Sequence, residues 1–462
     1  MKYLLLSMVF LINYGLFSQE TQISDAELVQ NEKLMRSLGK DIFQLNGVPF
    51  VQPMVEAVNS ISNDGFYNTA YLKSGKDSWS FSFKIHTMYG AVPNSKQWYK
   101  PELPSTPFQL SDPENPENGL YGYSEMKLIP PSFSIKDTAG LYYYLFKTIL
   151  NDGILSGEIV PPTRSATLLG KSKETFKFRE GLLGELARKR VDSINQIGES
   201  FGFQPVSDSL TEQIVNTLNG LPSEIALPEG GNINNIFAAV PQINIGMPYG
   251  TELSLRYIPK INYGKNIGDF GFWGFGLKHN LSQWWNEDND PEEFQVALQL
   301  AMQGTSLTNV MEITSTKFEA DAIMTNFNIH FSQKLFKYLD FFAGLSYESI
   351  KIENNYTYYL SHQIQVELYG REDQRVDGIP KTSKEFSLEE INAKANKDTK
   401  PQTDKITLEE EQLKLTFGLY KDFDDFDIYL AYSVSEFSIF NFGMSYKLNF
   451  SNDSENNYKI EE

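Results

Sequence analysis

Cysteine is absent from the 462 residues, which excludes disulfides, thiolate metal sites and a cysteine-borne lipid anchor. Histidine is scarce: His86, His279, His330 and His362 are scattered, with no HExxH-like spacing to build a metal centre. Basic residues are outnumbered, 40 Lys and Arg against 59 Asp and Glu, and a formal charge of −19 repels phosphates, so nucleic acid is not an expected partner. Beyond the first residues no apolar run reaches the roughly 20 residues of a spanning helix. A membrane role would have to use strands.

Aromatic residues, by contrast, are plentiful at 14%, with 33 Phe and 25 Tyr. The opening MKYLLLSMVFLINYGLFSQ has a basic start at Lys2, an apolar stretch from Tyr3 to Phe17 and a small residue, Ser18. This pattern predicts a signal peptide over residues 1–18 and a mature chain from about Gln19.

Period-two alternation dominates the rest of the chain. Phe440, Phe442, Met444, Tyr446, Leu448 and Phe450 share one face, and Asn441, Gly443, Ser445, Lys447 and Asn449 the other. Phe294, Val296, Leu298, Leu300 and Met302 alternate in the same way with Gln295, Ala297, Gln299, Ala301 and Gln303. Similar segments start at Trp79 and Leu413 and recur around 237–247, 251–261, 268–282, 313–332, 340–352 and 426–434, ten in all. Their polar faces hold mostly Gln, Asn, Ser, Thr, Gly and Ala rather than the Lys and Glu of a soluble surface. Such faces suit a crowded lumen with the apolar faces turned to lipid. The expected fold is all-β: a single transmembrane antiparallel β-barrel over residues 77–450, in the outer membrane.

Connection lengths give a topology. With short turns in the periplasm, Lys421–Asp425, Pro248–Gly250 and Trp284–Glu293 lie on that side. Asn262–Gly268 and the roughly fifty-residue link after Ile352 then lie outside. Both termini are expected in the periplasm, so the strand number is even. Residues 93–235 read as an irregular and helical insertion: eight of the 21 prolines fall between Pro93 and Pro131. Helical patterns follow at Leu183, Leu186, Ile194 and Ile197, and at Leu210, Ile214 and Leu218. If this region hides one or two hairpins, the barrel has twelve or fourteen strands, with fourteen favoured.

Residues 19–76 form an N-terminal helical segment, with Ser24 and Glu27 as a capping box for a helix to about Leu38, then Pro53 to Ile61. It is either a plug inside the barrel or a periplasmic helix at its base. Arg371–Lys405, with a second capping box at Ser387 and Glu390, reads as an external loop, and residues 451–462 as a disordered periplasmic tail. The acidic turn Asn286–Glu293 reads as a solvated turn before a cation site. His279 and Ser282 are three apart, which puts them on opposite faces of a strand and excludes a phospholipase-like pair. No enzyme activity, metal or cofactor is expected.

Near the end, Asn441, Gly443, Tyr446 and Leu448, continued by Phe450, resemble the closing-strand signal of bacterial outer-membrane barrels. The resemblance implies that barrel-assembly machinery reads this strand. DGFYNTA at Asp64–Ala70, VPQINIGMPYGTELSLRYIP at Val240–Pro259 and GFWGFGLKHNLSQWW at Gly271–Trp285 resemble an uncharacterised family of Bacteroidota outer-membrane proteins, itself similar to FadL-type transporters. That resemblance implies fourteen strands, an N-terminal plug and passive transport of small hydrophobic molecules. The alternative is a non-transporting barrel subunit of a larger outer-membrane assembly, in secretion or envelope biogenesis. Outer-membrane lipid and other outer-membrane proteins are the expected partners.

Overall fold

The computed structural model describes residues 25–448, apart from 67, 73–78, 129–130, 173, 201–204, 220–223, 228–229, 263–268, 286–292, 312–315, 337–338, 359–401 and 424. The expected signal peptide, Ser24, residues 286–292 of the expected acidic turn, residues 371–401 of the expected external loop, Phe450 and the tail lie outside the described residues, whereas residues 402–405, expected in that loop, open β14.

In chain order the elements are α1 (Asp25–Ser62), β1 (Ser80–Ala91), β2 (Trp98–Tyr99), β3 (Ser124–Leu128), β4 (Pro131–Ile135), α2 (Thr138–Ser156), β5 (Ser165–Ala166), β6 (Thr175–Lys177), α3 (Leu182–Ser200), α4 (Asp208–Asn219) and β7 (Glu224–Ala226). Then come β8 (Asn235–Met247), β9 (Thr251–Asn262), β10 (Asp269–Asn280), β11 (Gln295–Met311), β12 (Thr316–Phe336), β13 (Leu339–Tyr358), β14 (Gln402–Asp422), β15 (Phe426–Val434) and β16 (Ile439–Leu448). β1 and β8–β16 close an antiparallel barrel in the order β1-β16-β15-β14-β13-β12-β11-β10-β9-β8.

All ten alternating segments are barrel strands, and the first and last pair as the alternation requires, Phe81 opposite Leu448 and Gly90 opposite Ile439. The count of twelve or fourteen is corrected to ten. β1 pairs directly with β8 from Ser80–Gly246 to Ala91–Asn235, so the chain between them leaves the wall and returns without adding a strand. The prolines and apolar helices of that insertion form a separate cap. Its core joins Leu141–Phe146, Ile149 and Leu150 of α2, Leu183, Leu186 and Val191 of α3, and Ile214, Val215 and Leu218 of α4. Ile194 and Leu210 pack against it, as their helical spacing predicts.

The exterior is apolar around the whole circumference. Phe83, Ile85, Ile243, Leu255, Phe275, Leu300, Phe327, Leu345, Leu415, Phe417, Leu430 and Phe442 are exposed on it, whereas the inward partners beside them are buried. An outward apolar face of this extent is stable only in lipid, and a closed ladder leaves no unpaired backbone there. The protein is a transmembrane β-barrel. On β1 the outward face from Phe81 to Tyr89 spans roughly 20 Å at the usual strand tilt, close to the ~25 Å apolar band of such barrels.

Short turns gather at one end, where β1 begins and β16 ends; this is the turn end. The cap and the 359–401 link emerge from the opposite, insertion end, in agreement with the expected grouping of connections. Wall height is uneven. β11–β14 have 17 to 21 residues, β15 and β16 only 9 and 10. Beyond Leu413, β14 climbs roughly 25 Å past the apolar band. The outer face of that tall wall is charged, with Lys351–Glu409 and Lys405–Glu353 ion pairs at 2.7 and 2.6 Å.

Candidate functional site

α1 joins the cap to the lumen as one helix. It runs through both predicted helical segments and carries Pro49 and Pro53 inside it. Each proline removes a helical N–H and loosens the ladder around it, and the Phe50 carbonyl there accepts from Leu168 N–H at 2.8 Å. Near its middle, Asp41 accepts from the Tyr143 hydroxyl of α2 at 2.6 Å. Burial and that carboxylate push the Tyr143 phenol well above its usual range, so it stays a donor. Further along, Val48, Val51, Val55 and Val58 fall on one helical face and pack on Ala322, Met324, Ile350, Ile352 and Leu408 inside the tall wall. Met54, Ala57 and Ile61 face Met88, Val240, Phe272 and Ile439 across the mouth.

The chain therefore enters the lumen from the insertion end and descends toward the turn end, where β1 starts. The segment is the plug, not a helix at the barrel base. The expectation that both termini share one end falls on residues 1–24 and 449–462, outside the described residues. An even strand count fixes where β1 begins and β16 ends, but the residues ahead of β1 thread back through the barrel.

The lumen holds this segment by its main chain. α1 ends at Ser62 with no basic residue in its own last turn, and a helix C-terminus carries unmet carbonyls and partial negative charge. The wall supplies the cations. Lys414 Nζ donates to Ser60 O at 3.1 Å, and Arg256 donates to Ser62 O and Asp64 O, both at 3.0 Å. Gln303 adds a bond to Ser62 O at 2.9 Å. Further down, Gln299 donates to Phe66 O, Lys278 to Thr69 O and Asn280 to Ala70 O. Ser332 Oγ accepts from Ala70 N–H at 3.0 Å. The Arg256 guanidinium also stacks 3.7 Å from the centre of the Phe66 ring.

Asp64 is the hub. Ser433 Oγ and Asn441 Nδ2 donate to its carboxylate at 2.7 and 3.0 Å, and Lys414 lies 3.6 Å away while bound to Glu348 at 2.6 Å. All of these side chains are buried, so each charge depends on its partners. Gly65 follows with φ of +70°, and a Cβ there would sit 2.5 Å from Asn441 Nδ2. Only glycine meets both conditions.

The closing-strand residues divide in two. Asn441 and Gly443 face the lumen. Asn441 binds Asp64 and accepts from the Tyr429 hydroxyl at 3.0 Å, and a Cβ on Gly443 would meet the Tyr429 ring at 2.0 Å. Tyr446 and Leu448 face outward and are exposed, apart from that cluster. Phe450 lies outside the described residues.

Asp64, Arg256, Lys278, Glu348 and Lys414 were not singled out by sequence reasoning. The signal was present: each of the last four is a charge at an inward position of an alternating strand, where solvation is lost and a partner is required. Among the histidines, His86 and His330 point inward as expected. His86 bonds the Tyr429 hydroxyl, and His330 lies 2.7 Å from Asn328 Oδ1 and 3.3 Å from Thr69 O.

Comparison with known proteins places residues 161–448 in a family described as "Family of unknown function (DUF6588)". The chain belongs to this family. The DUF6588 region covers β8–β16 and the donors Arg256, Lys278, Gln303 and Lys414, and it starts after α1 and β1. No curated protein matches the chain. Among solved structures, Ail, the attachment invasion locus protein of Yersinia pestis, is 12% identical, covering 43% of this chain and 97% of its own, with a TM-score of 0.20. OccK1 (OpdK) of Pseudomonas aeruginosa is 8% identical, covering 82% and 99%, with a TM-score of 0.10. A likeness at these TM-scores carries no argument about function.

Proposed function

We propose that the protein is an outer-membrane β-barrel held shut by its own N-terminal segment, serving as a non-transporting subunit of a larger outer-membrane assembly. The observation that carries this reading is the lumen itself. Donors from β9, β10, β11 and β14 are committed to the carbonyls of residues 60–70, and Asp64 ties β14, β15 and β16 together. In this reading a lumen so occupied has no continuous water path. In this reading the turn end faces the periplasm, where barrel-assembly machinery engages β16, and the insertion end presents the cap and the tall β11–β14 wall to partners outside. No catalysis or cofactor enters the proposal.

A passive channel for small hydrophobic molecules is the second reading. The plug favours it, because the FadL-type resemblance implies one. A lining of Arg, Lys, Gln and Asn side chains argues against an apolar cargo.

The test is purification in mild detergent after membrane fractionation. The protein should appear in the outer membrane, shift on a gel between unheated and boiled samples, give no steady conductance in a planar bilayer and retain partner proteins. Recovery as a soluble species would overturn the membrane reading. Steady conductance by the unmodified protein, or liposome uptake of an apolar solute, would overturn the sealed one.

A further inference from the structure

Three ionisable side chains meet inside the barrel where the plug crosses β13 and β14. Lys414 and Gln412 are successive inward residues of β14, and Glu348 lies opposite Gln412 on β13, so Glu348 and Lys414 are diagonal neighbours on the inner face. The plug brings Asp64 to the same place, two residues past the end of α1. Asp64, Glu348 and Lys414 are 3%, 0% and 1% exposed, which keeps bulk water away from them.

The contacts within this cluster are unequal. Lys414 Nζ lies 2.6 Å from Glu348 Oε1 but 3.6 Å from Asp64 Oδ1, too long for a hydrogen bond and close to the separation of atoms held for reaction. Asp64 Cγ, one covalent bond beyond Oδ1, is therefore within about 5 Å of the nitrogen. Each Asp64 oxygen has its own donor, Ser433 Oγ at 2.7 Å from Oδ1 and Asn441 Nδ2 at 3.0 Å from Oδ2. Glu348 is fixed in turn: Asn326 Nδ2 donates to Oε1 at 2.9 Å and Gln412 Nε2 to Oε2 at 3.0 Å.

Buried charges are costly even when paired. Joining the lysine to the aspartate as an amide removes two of the three charges and expels one water. We propose that Lys414 and Asp64 condense to a side-chain amide that ties the plug covalently to β14, with Glu348 as the catalytic proton carrier. The pair starts as ammonium and carboxylate. Glu348 takes a proton from Nζ and passes it to Asp64 Oδ1, which leaves a neutral amine facing a neutral carboxyl group. The amine's electron pair then forms the Nζ–Cγ bond, and the charge of the tetrahedral carbon collects on Oδ2, where Asn441 Nδ2 already donates. A second proton travels from Nζ through Glu348 to Oδ1, the Cγ–Oδ1 bond breaks and Oδ1 departs as water beside the Ser433 hydroxyl. Glu348 ends as it began, and nothing is oxidised or reduced. Exclusion of bulk water protects the amide from hydrolysis. The bond depends on the fold and not on whether the lumen is sealed.

The test is trypsin digestion and mass spectrometry of the full-length protein, taken from the membrane in its heat-shifting form and then boiled. Trypsin cuts after Lys40, Lys73, Lys405 and Lys421, and it does not cut after a lysine whose side chain is an amide. The expected product is one branched peptide joining residues 41–73 to residues 406–421, lighter than the two together by one water. Lys414→Arg, which keeps the charge but offers no attacking amine, should give no branched peptide. Glu348→Gln should lower its yield by about tenfold or more. If Glu348→Gln fails to assemble, Glu348→Asp, which draws the carboxylate back from Nζ, takes its place and should lower the yield severalfold. Recovery of residues 41–73 and 406–414 as separate peptides of unaltered mass from the unaltered protein would overturn the proposal, whether or not any variant assembles. So would a branched peptide that persists undiminished in an assembled Glu348 variant. Conductance tests the sealed lumen separately.

Discussion

Asn441 on β16 donates to Asp64 Oδ2 at 3.0 Å, which joins the last strand of the barrel to the segment ahead of the first. Closure of the wall and seating of the plug thus meet at one hydrogen bond. Replacing Asp64 with alanine leaves Asn441 and Ser433 unmet and takes from Lys414 one of its two acidic neighbours. Removing one partner from a buried charged cluster costs about 3–5 kcal/mol. Asp64→Ala should lower the temperature of the gel shift and expose residues 63–72 to protease in detergent, with intermittent conductance in bilayers. An unchanged shift temperature and continued protection would show that Asp64 does not hold the plug.

Gly443 makes room for the Tyr429 ring, 2.0 Å from where a Cβ would stand. Gly443→Ala should therefore reduce the heat-modifiable protein by roughly fivefold or more, the effect of one to two kcal/mol. Shrinking the ring should restore it, so Gly443→Ala with Tyr429→Leu should assemble better than Gly443→Ala alone. A double variant no better than the single would locate the glycine requirement elsewhere, in recognition of the strand during assembly.

Tyr446 and Leu448 turn their side chains to lipid on the strand that seals the barrel. Tyr446→Asp and Leu448→Asp each place a carboxylate on that face and should sharply reduce the heat-modifiable protein in the outer membrane. Deleting Ser451–Glu462 should leave assembly intact. Loss of assembly on deletion, with both substitutions tolerated, would move the closing signal into the tail.

The 359–401 link leaves the barrel at the same end as the cap. Protease added to intact cells should cut between Arg371 and Lys405, and surface labelling should reach the exposed Lys189 of α3. Cleavage and labelling only after the outer membrane is opened would invert the barrel in the membrane.

The wall was legible in the sequence because a strand between lipid and a polar lumen must alternate. The glutamines of β11, at 295, 299 and 303, announce their face without any partner being known. The amphipathic α3 and α4 were legible for the same reason, since each has one wet side. α2 was not. Its TAGLYYYLFKTILNDGILS is buried nearly all round, so it has no helical period to read, although Asp137 and Gly157 mark its ends. The plug was legible only as one of two alternatives, because nothing local tells α1 which surface will receive its valines. Arg256 and Lys414 were hidden among ordinary polar positions, since their role is set by carbonyls almost two hundred and more than three hundred and fifty residues away.

Threading gives the folding of this chain an order. Residues 60–72 continue into β1, which pairs with β16 to close the ring, while α1 lies across the other opening beneath the cap. Once that seam has zipped, a helix roughly 57 Å long would have to be drawn through a ring crowded with charged side chains. The segment must therefore lie along the open sheet before the final strand arrives, and the last strand to emerge from synthesis fastens residues 60–66 in place. The assembled molecule resembles a rivet, with a shank in the lumen, the cap as one head and the seam strand as the other. Neither end can be pulled free without unfolding the cap or parting β1 from β16.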